Sequence, residues 1–357
     1  MFGTNFTMAR YTRKLRSLGV VVSAVIIVVV CSGFAFNELG AEDPRNSSAL
    51  ELNVDPHKVV GYETCSKCHA SEIETWKKTP HYETFLTLHR NPEAKNIADK
   101  LGLKSFKSDS RCIQCHYTMQ DQGGHLEAIS GISCESCHGG AKDWVNVHYD
   151  YGGANMTREQ ETPEHRIQRL RNAIGGGMRN PINVYLLAQS CYRCHTVPDE
   201  ELVNVGGHKA GSLDFEIVAW SQGLVRHNFV RSNGQTNDPS APDRLRQMFV
   251  AGLIADLEFS LRSTSKATQK AEFGITSAKR AKRAADRLRS AQEKLQQPIL
   301  QEVLAIFDGV KLKINNQQSL EEAANKINKL GIKFAATVAG KDLTAIDAYI
   351  PKQDRWK

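Results

Sequence analysis

RCIQCHYTMQDQGGHLEAISGISCESCHGGAKDWVNVH, residues 111–148, holds two copies of the pattern Cys-x-x-Cys-His, at Cys112–His116 and Cys134–His138. Two more copies flank it, at Cys65–His69 and Cys191–His195, and together the four take eight of the nine cysteines in the chain. In this pattern two thiols add across the vinyl groups of haem and the His that follows ligates the iron. Zinc is the sharp rival, because the gap of about 18 residues between Cys115 and Cys134 suits a zinc ribbon. A disulfide framework is the second, since an exported chain meets oxidants. Neither has a reason to place His directly after the second Cys. His is 12 of 357 residues, so four such coincidences have odds on the order of one in a million. The sequence therefore reads as four covalently attached c-type haems. Cys65, Cys68, Cys112, Cys115, Cys134, Cys137, Cys191 and Cys194 make the thioethers, and His69, His116, His138 and His195 are the proximal ligands.

The N-terminus agrees with that chemistry, because haem is attached outside the cytoplasm. Arg10, Arg13, Lys14 and Arg16 precede an apolar run from Leu18 to Phe36. This is the order of an export signal, residues 1–36. The apolar core Val20–Val30 is short for a membrane span, but no clean Ala-x-Ala site follows it, so a retained signal anchor in the inner membrane is the alternative to cleavage. Cys31 reads as an apolar residue of this run. The expected location is periplasmic. The net charge of +7 leaves out haem propionates and comes without basic–aromatic interleaving, so nucleic acid is not an expected partner.

Residues 37–55 are polar with Gly, Pro and Ser and read as a linker. Residues 56–240 lack sustained apolar periodicity. Short helices are expected at Ser71–Lys78 and Tyr82–His89, divided by Pro80. Four haems in about 180 residues require the porphyrins themselves to be the core. From residue 241 the character changes, and neither Cys nor His occurs again. Leu245, Phe249, Leu253, Leu257 and Leu261 recur at helical spacing behind an Asp243 N-cap. Ala281, Ala284, Ala285, Leu288, Ala291 and Leu295 mark a second helix, which Pro298 closes, its other faces basic (Lys279, Arg280, Lys282, Arg283, Arg287, Arg289) and read as solvated. Shorter helices follow at Leu300–Phe307, Leu320–Leu330 and Ile332–Ala339. The expected fold is mainly α: a compact multihaem cytochrome c domain followed by a C-terminal helical bundle, residues 241–357.

The sixth position of each iron decides what the haem does: closed by a second His it passes electrons, open it binds small molecules. The remaining histidines are His57, His81, His89, His125, His148, His165, His208 and His227. Aromatic neighbours favour His81 (after Trp76), His148 (after Trp144) and His227 (before Phe229). Gly206 and Gly207 would let His208 approach a metal.

Trp76-Lys77-x-Thr79-x-His81 after the first motif, and Gly131-x-x-Cys134-Glu135-Ser136-Cys137-His138-Gly139 with His148 ten residues on, resemble the tetrahaem cytochrome c-554 family, electron acceptors of hydroxylamine oxidoreductase. Gly123-Gly124 fits the same pattern, and the resemblance covers Tyr62 to Phe229. It implies a mostly helical fold with haems in stacked pairs, three closed by two histidines and the second motif's haem five-coordinate. It also implies that His148 serves the first haem, His81 the third and His227 the fourth. His125 and His208 depart from this pattern as extra candidates for closing the second haem. The expected function is electron transfer between redox protein partners. The alternative is reduction of a small nitrogen oxide at an open haem, with Tyr117, His208 and Arg226 lining the pocket.

Overall fold

Pro80, Pro92, Pro163, Pro242 and Pro298 each stand in the first turn of a helix. A missing N–H costs nothing there, and the ring fixes a helical φ. These residues punctuate a mainly helical chain, seen here in a computed structural model that describes residues 54–108 and 110–357. The apolar run expected to direct export lies outside the described residues. No helix among the described residues is long and apolar enough to cross a membrane.

In chain order the helices are α1 (Tyr62–Cys65), α2 (Ala70–Trp76), α3 (Pro80–Thr87), α4 (Pro92–Leu101) and α5 (Ser110–His116). A two-stranded antiparallel hairpin follows, β1 (Thr118–Gln122) and β2 (His125–Ser130), turning on Gly123-Gly124. Both glycines have positive φ, which this tight turn requires. Next come α6 (Cys134–His138), α7 (Pro163–Gly175), α8 (Val184–His195), α9 (Glu200–Asn204) and α10 (Ile217–Ser221). Four more helices follow, α11 (Pro242–Ser265), α12 (Glu272–Leu295), α13 (Pro298–Asp308) and α14 (Gln317–Thr337), and then a 3-10 segment Gly340–Tyr349.

The main hydrophobic core is built from α11 to α14 and α8, with Phe215, Ile217 and Val218 at α10 and Leu343 and Ile346 beyond α14. α11 is buried on every side from Met248 to Leu261, which marks it as the central helix. α8 lies against it, so the helix that ends in the fourth Cys-x-x-Cys-His also contributes Val184, Tyr185, Leu186, Ala188 and Tyr192 to the core. Inside that core Glu258 accepts hydrogen bonds from the Tyr185 hydroxyl (2.5 Å) and Gln189 Nε2 (2.9 Å) and pairs with Arg262 (2.8 Å). Before residue 180 the apolar clusters are small, the largest being Ala141, Trp144 and Ala173.

Three local expectations need correction. Ala241, not Asp243, is the N-cap of α11, because Pro242 takes the first helical position; Asp243 pairs with Arg246 instead. Pro298 opens α13, and α12 ends earlier, where Gln296 adopts a left-handed conformation. The two short helices expected on either side of Gly331 are one helix. Gly331 is there for close approach: a Cβ on it would stand 2.2 Å from the Tyr185 ring.

Candidate haem-binding site

The four motif histidines each face a second imidazole. His69 faces His148 at a ring-centroid distance of 6.3 Å, and His116 faces His208 at 6.4 Å. His138 faces His227 at 6.3 Å, and His195 faces His81 at 6.2 Å. An imidazole nitrogen lies about 1.1 Å from its ring centroid and a metal–imidazole bond is about 2.0–2.1 Å, so two imidazoles on opposite sides of one metal have centroids about 6.2–6.4 Å apart. All four pairs match that spacing.

Backbone carbonyls aim the rings. His148 Nδ1 donates to Val145 O (2.7 Å), His208 Nδ1 to Lys209 O (2.8 Å), and His227 Nδ1 to Val225 O (2.8 Å). His138 Nδ1 makes a longer contact with Arg179 O (3.4 Å). Tying Nδ1–H to a carbonyl leaves Nε2 as the free lone pair, the tautomer a metal ligand needs. Burial favours the same neutral state at five of these rings: it pushes His116 and His138 down to about 4 and His195 down to about 3, and lowers His81 and His148.

Each second histidine is delivered by a short local device. His81 is in the first turn of α3, and its carbonyl accepts Ile132 N (2.9 Å), while Trp76 Nε1 donates to Ile132 O (2.7 Å). Gly131 makes this approach possible, since a Cβ there would lie 2.0 Å from the His81 carbonyl. His148 ends a helical turn in which its N–H bonds Trp144 O. His208 follows Gly207, whose φ is +80°, and its N–H bonds Leu202 O across the end of α9.

Arg169 holds the His148 carbonyl (2.7 Å) and is itself clamped by Glu161 (2.6 Å), which also bonds His165 Nδ1 (2.9 Å). Hydrogen bonding from Arg169 holds the Glu161 carboxyl below its ordinary value of 4.5. A carboxylate with a depressed folded pKa contributes stability that is complete above its ordinary value and is lost as pH falls through the depressed one. Glu161→Gln is expected to cost about 1–3 kcal/mol and to flatten the acid limb of the thermal midpoint as pH falls below the carboxyl's ordinary value of 4.5. Melting curves of both proteins over that range check it. An unchanged acid limb would show that this clamp contributes nothing.

The thiols also come together in pairs. Cys65 contacts Cys134, and Cys115 contacts Cys194, which sets the first motif beside the third and the second beside the fourth. The third and fourth are joined by Ser190 Oγ, bonded to Cys137 O (3.0 Å), and by Arg193 Nη2, bonded to Ser136 O (3.2 Å). The motifs therefore follow one another in space as first, third, fourth, second. All eight are free thiols. Among the described residues no three His, Cys, Asp or Glu side chains converge on a metal position, so the zinc-ribbon grouping is not formed. Several buried polar atoms beside the histidine pairs have no hydrogen-bond partner among the described residues: the Tyr117 hydroxyl next to His116, Trp144 Nε1 near His148, and Trp220 Nε1 near His195. Paired imidazoles, adjacent thiols and these orphaned polar atoms fit a bound haem at every motif.

The arrangement differs from what the resemblance implies in two respects. His81 faces the fourth motif's His195, not the third's His138, and His227 faces His138, not His195. His208 faces His116, so the second motif, too, has an opposing imidazole. His125 is exposed at the start of β2, His57 pairs with Asp121 (2.8 Å), and His165 pairs with Glu161. Two aromatic neighbours of His195 escaped the sequence reading. Phe215 stacks on its ring at 4.0 Å and Trp220 lies 5.9 Å away. Both follow a Gly-rich loop in which no period marks them.

Residues 64–139 match the family described as cytochrome c554 and c-prime. Over 111 residues the chain is 32% identical to cytochrome c-554 of Nitrosomonas europaea, a stretch that covers 29% of this chain and 47% of that protein. The chain thus spans about half the length of this curated relative. No solved structure matches. The segment with the first three motifs, residues 64–139, belongs to the cytochrome c-554 family.

Proposed function

We propose that this chain is a four-haem c-type cytochrome that carries electrons between redox proteins. The observation that carries this reading is the set of four His–His pairs at 6.2–6.4 Å. Haem bound at each motif supplies a one-electron iron couple. The chain's own residues then do three things. His69 with His148, His116 with His208, His138 with His227 and His195 with His81 would hold the group, and no described motif lacks an opposing imidazole. Backbone carbonyls that bond Nδ1 of His148, His208 and His227 would keep those rings in the ligating tautomer. The order first, third, fourth, second places each site beside the next. A nitrogen-oxide reductase needs a motif His with nothing opposite it, and no described motif has that form.

In this reading residues 56–240 hold the haems, which supply the apolar bulk missing before residue 180, and residues 241–357 form the bundle that shares α8 with them. The basic N-terminal segment and the apolar run after it support export to the periplasm, with the run either cleaved or kept as an inner-membrane anchor. The test is low-temperature EPR of the oxidised protein, with its haem content fixed by intact mass. Four haems per chain and low-spin signals alone are expected. A high-spin signal near one haem per chain would overturn the carrier assignment in favour of the reductase.

A further inference from the structure

The C-terminal bundle lies outside the matched family segment, yet it touches the fourth site directly. Arg280, on α12, is 2% exposed. Its Nε donates to Asp256 on α11 (2.6 Å), and its Nη1 reaches the backbone carbonyls of Ser212 and His195, the latter at 3.4 Å. The guanidinium lies over the Tyr192 ring, 5.5 Å from its centroid, and Tyr192 packs edge-on against Phe215, which stacks on His195. Nη2 is buried with no hydrogen-bond partner among the described residues. Asp256 is buried as well and is backed by Ser260 (3.2 Å).

A buried ion pair is a poor device for stability alone, because apolar residues of similar size usually do as well. The rest of α12 shows the contrast. Arg283 is exposed and pairs with Asp214; Arg289 is half-buried and pairs with Asp286 and Asp308; Arg287, also half-buried, lies over the Phe249 ring. Arg280 alone among the arginines of α12 is buried and bonded to a motif histidine's backbone.

We propose that Arg280, held by Asp256, is a positioning residue that sets the reduction potential of the fourth haem. This inference rests on the haem reading above. A fixed cation in a low-dielectric setting favours the reduced iron, which carries one positive charge fewer. Arg280 therefore raises the fourth site's potential relative to its neighbours, and Asp256 moderates the rise. The bundle is thus part of the redox machinery, making the fourth, of the two interior sites in the first–third–fourth–second series, the easier one to reduce.

The experiment is a potentiometric titration of the haem-loaded chain, following the four midpoints optically. Removing the charge is expected to change the reduction equilibrium of one haem about tenfold, about 59 mV for a one-electron couple. Arg280→Met is expected to lower one midpoint, Arg280→Lys to restore most of it, and Asp256→Asn to raise it. A purely structural role would not give shifts of opposite sign. Because Arg280→Met leaves Asp256 without its cation and can fail to fold, the Asp256→Asn, Arg280→Met double variant is measured too. It should fold and lower the same midpoint by less. Arg283→Met is the exposed control and should move nothing. Four unchanged midpoints in a folded double variant with four haems would refute the role of Arg280 and leave the haem reading standing. A wild-type chain lacking four low-spin haems would remove both.

Discussion

His208→Ala converts one of four low-spin haems to high-spin and leaves the other three as they were. The expectation follows from the 6.4 Å separation of the His116 and His208 rings, which leaves room for one iron and for no further ligand. Alanine at this position removes the opposing nitrogen. Gly206 and Gly207 before it carry no side chain that could replace it. The emptied position would then bind carbon monoxide when reduced, a property absent from the parent, and the expected amount is one ligand per chain. His125→Ala provides the contrast, since His125 is exposed on the hairpin and should leave every haem low-spin. If His208→Ala still shows only low-spin signals, another group closes the second haem.

Glu135→Ala is the substitution expected to damage the fold most. This carboxylate, 1% exposed, sits inside the third motif and accepts three backbone N–H bonds, from Val60 (2.9 Å), Gly61 (2.9 Å) and Ala141 (2.8 Å). It thereby ties the segment that leads into the first motif to the loop that leads out of the third. A buried donor left without an acceptor costs about 1–3 kcal/mol, so three cost about 3–6 kcal/mol with partial relaxation. That is a large part of the stability of an ordinary domain, about 5–15 kcal/mol. A thermal midpoint lower by about 10 °C or more is expected in the haem-loaded protein. Glu135→Gln keeps one acceptor oxygen but turns an N–H towards a backbone donor, so its loss should be intermediate. Equal midpoints for all three proteins would mean that water satisfies these donors.

The paired histidines were legible in the sequence to different depths. The motif histidines announce themselves, because the chemistry fixes both spacing and residue type. The opposing histidines were found by their neighbours: Trp76 with His81, Trp144 with His148, Phe229 with His227, and two glycines with His208. Their pairing was not legible, since nothing local distinguishes His138 from His195 as the partner of His81. That choice is made by Gly131 and Ile132, which dock on the His81 backbone and turn its ring towards the fourth motif. Helices with one apolar face were found but not bounded: α12 begins at Glu272, well before its first marked apolar residue Ala281, and α14 was read as two. The hairpin was missed, although Gly123-Gly124 is a two-residue turn signal, because β1 carries polar residues on both faces. Arg280 was assigned to a solvated face, and only the packing of α11 against α12 shows that it points inward.

The double duty of α8 has a consequence for the order of manufacture. Its first half is knitted into the bundle through Tyr185 and Glu258, and its last turn bears Cys191, Cys194 and His195. Thioether bonds need both thiols accessible to an incoming porphyrin, whereas Cys191 packs against the bundle core. A haem at this motif would therefore have to be joined while α11 to α14 are still apart. Closure of the bundle would then seal the joint, so residues 241–357 would act as a quality gate that shuts over a chain only after its prosthetic groups are in place.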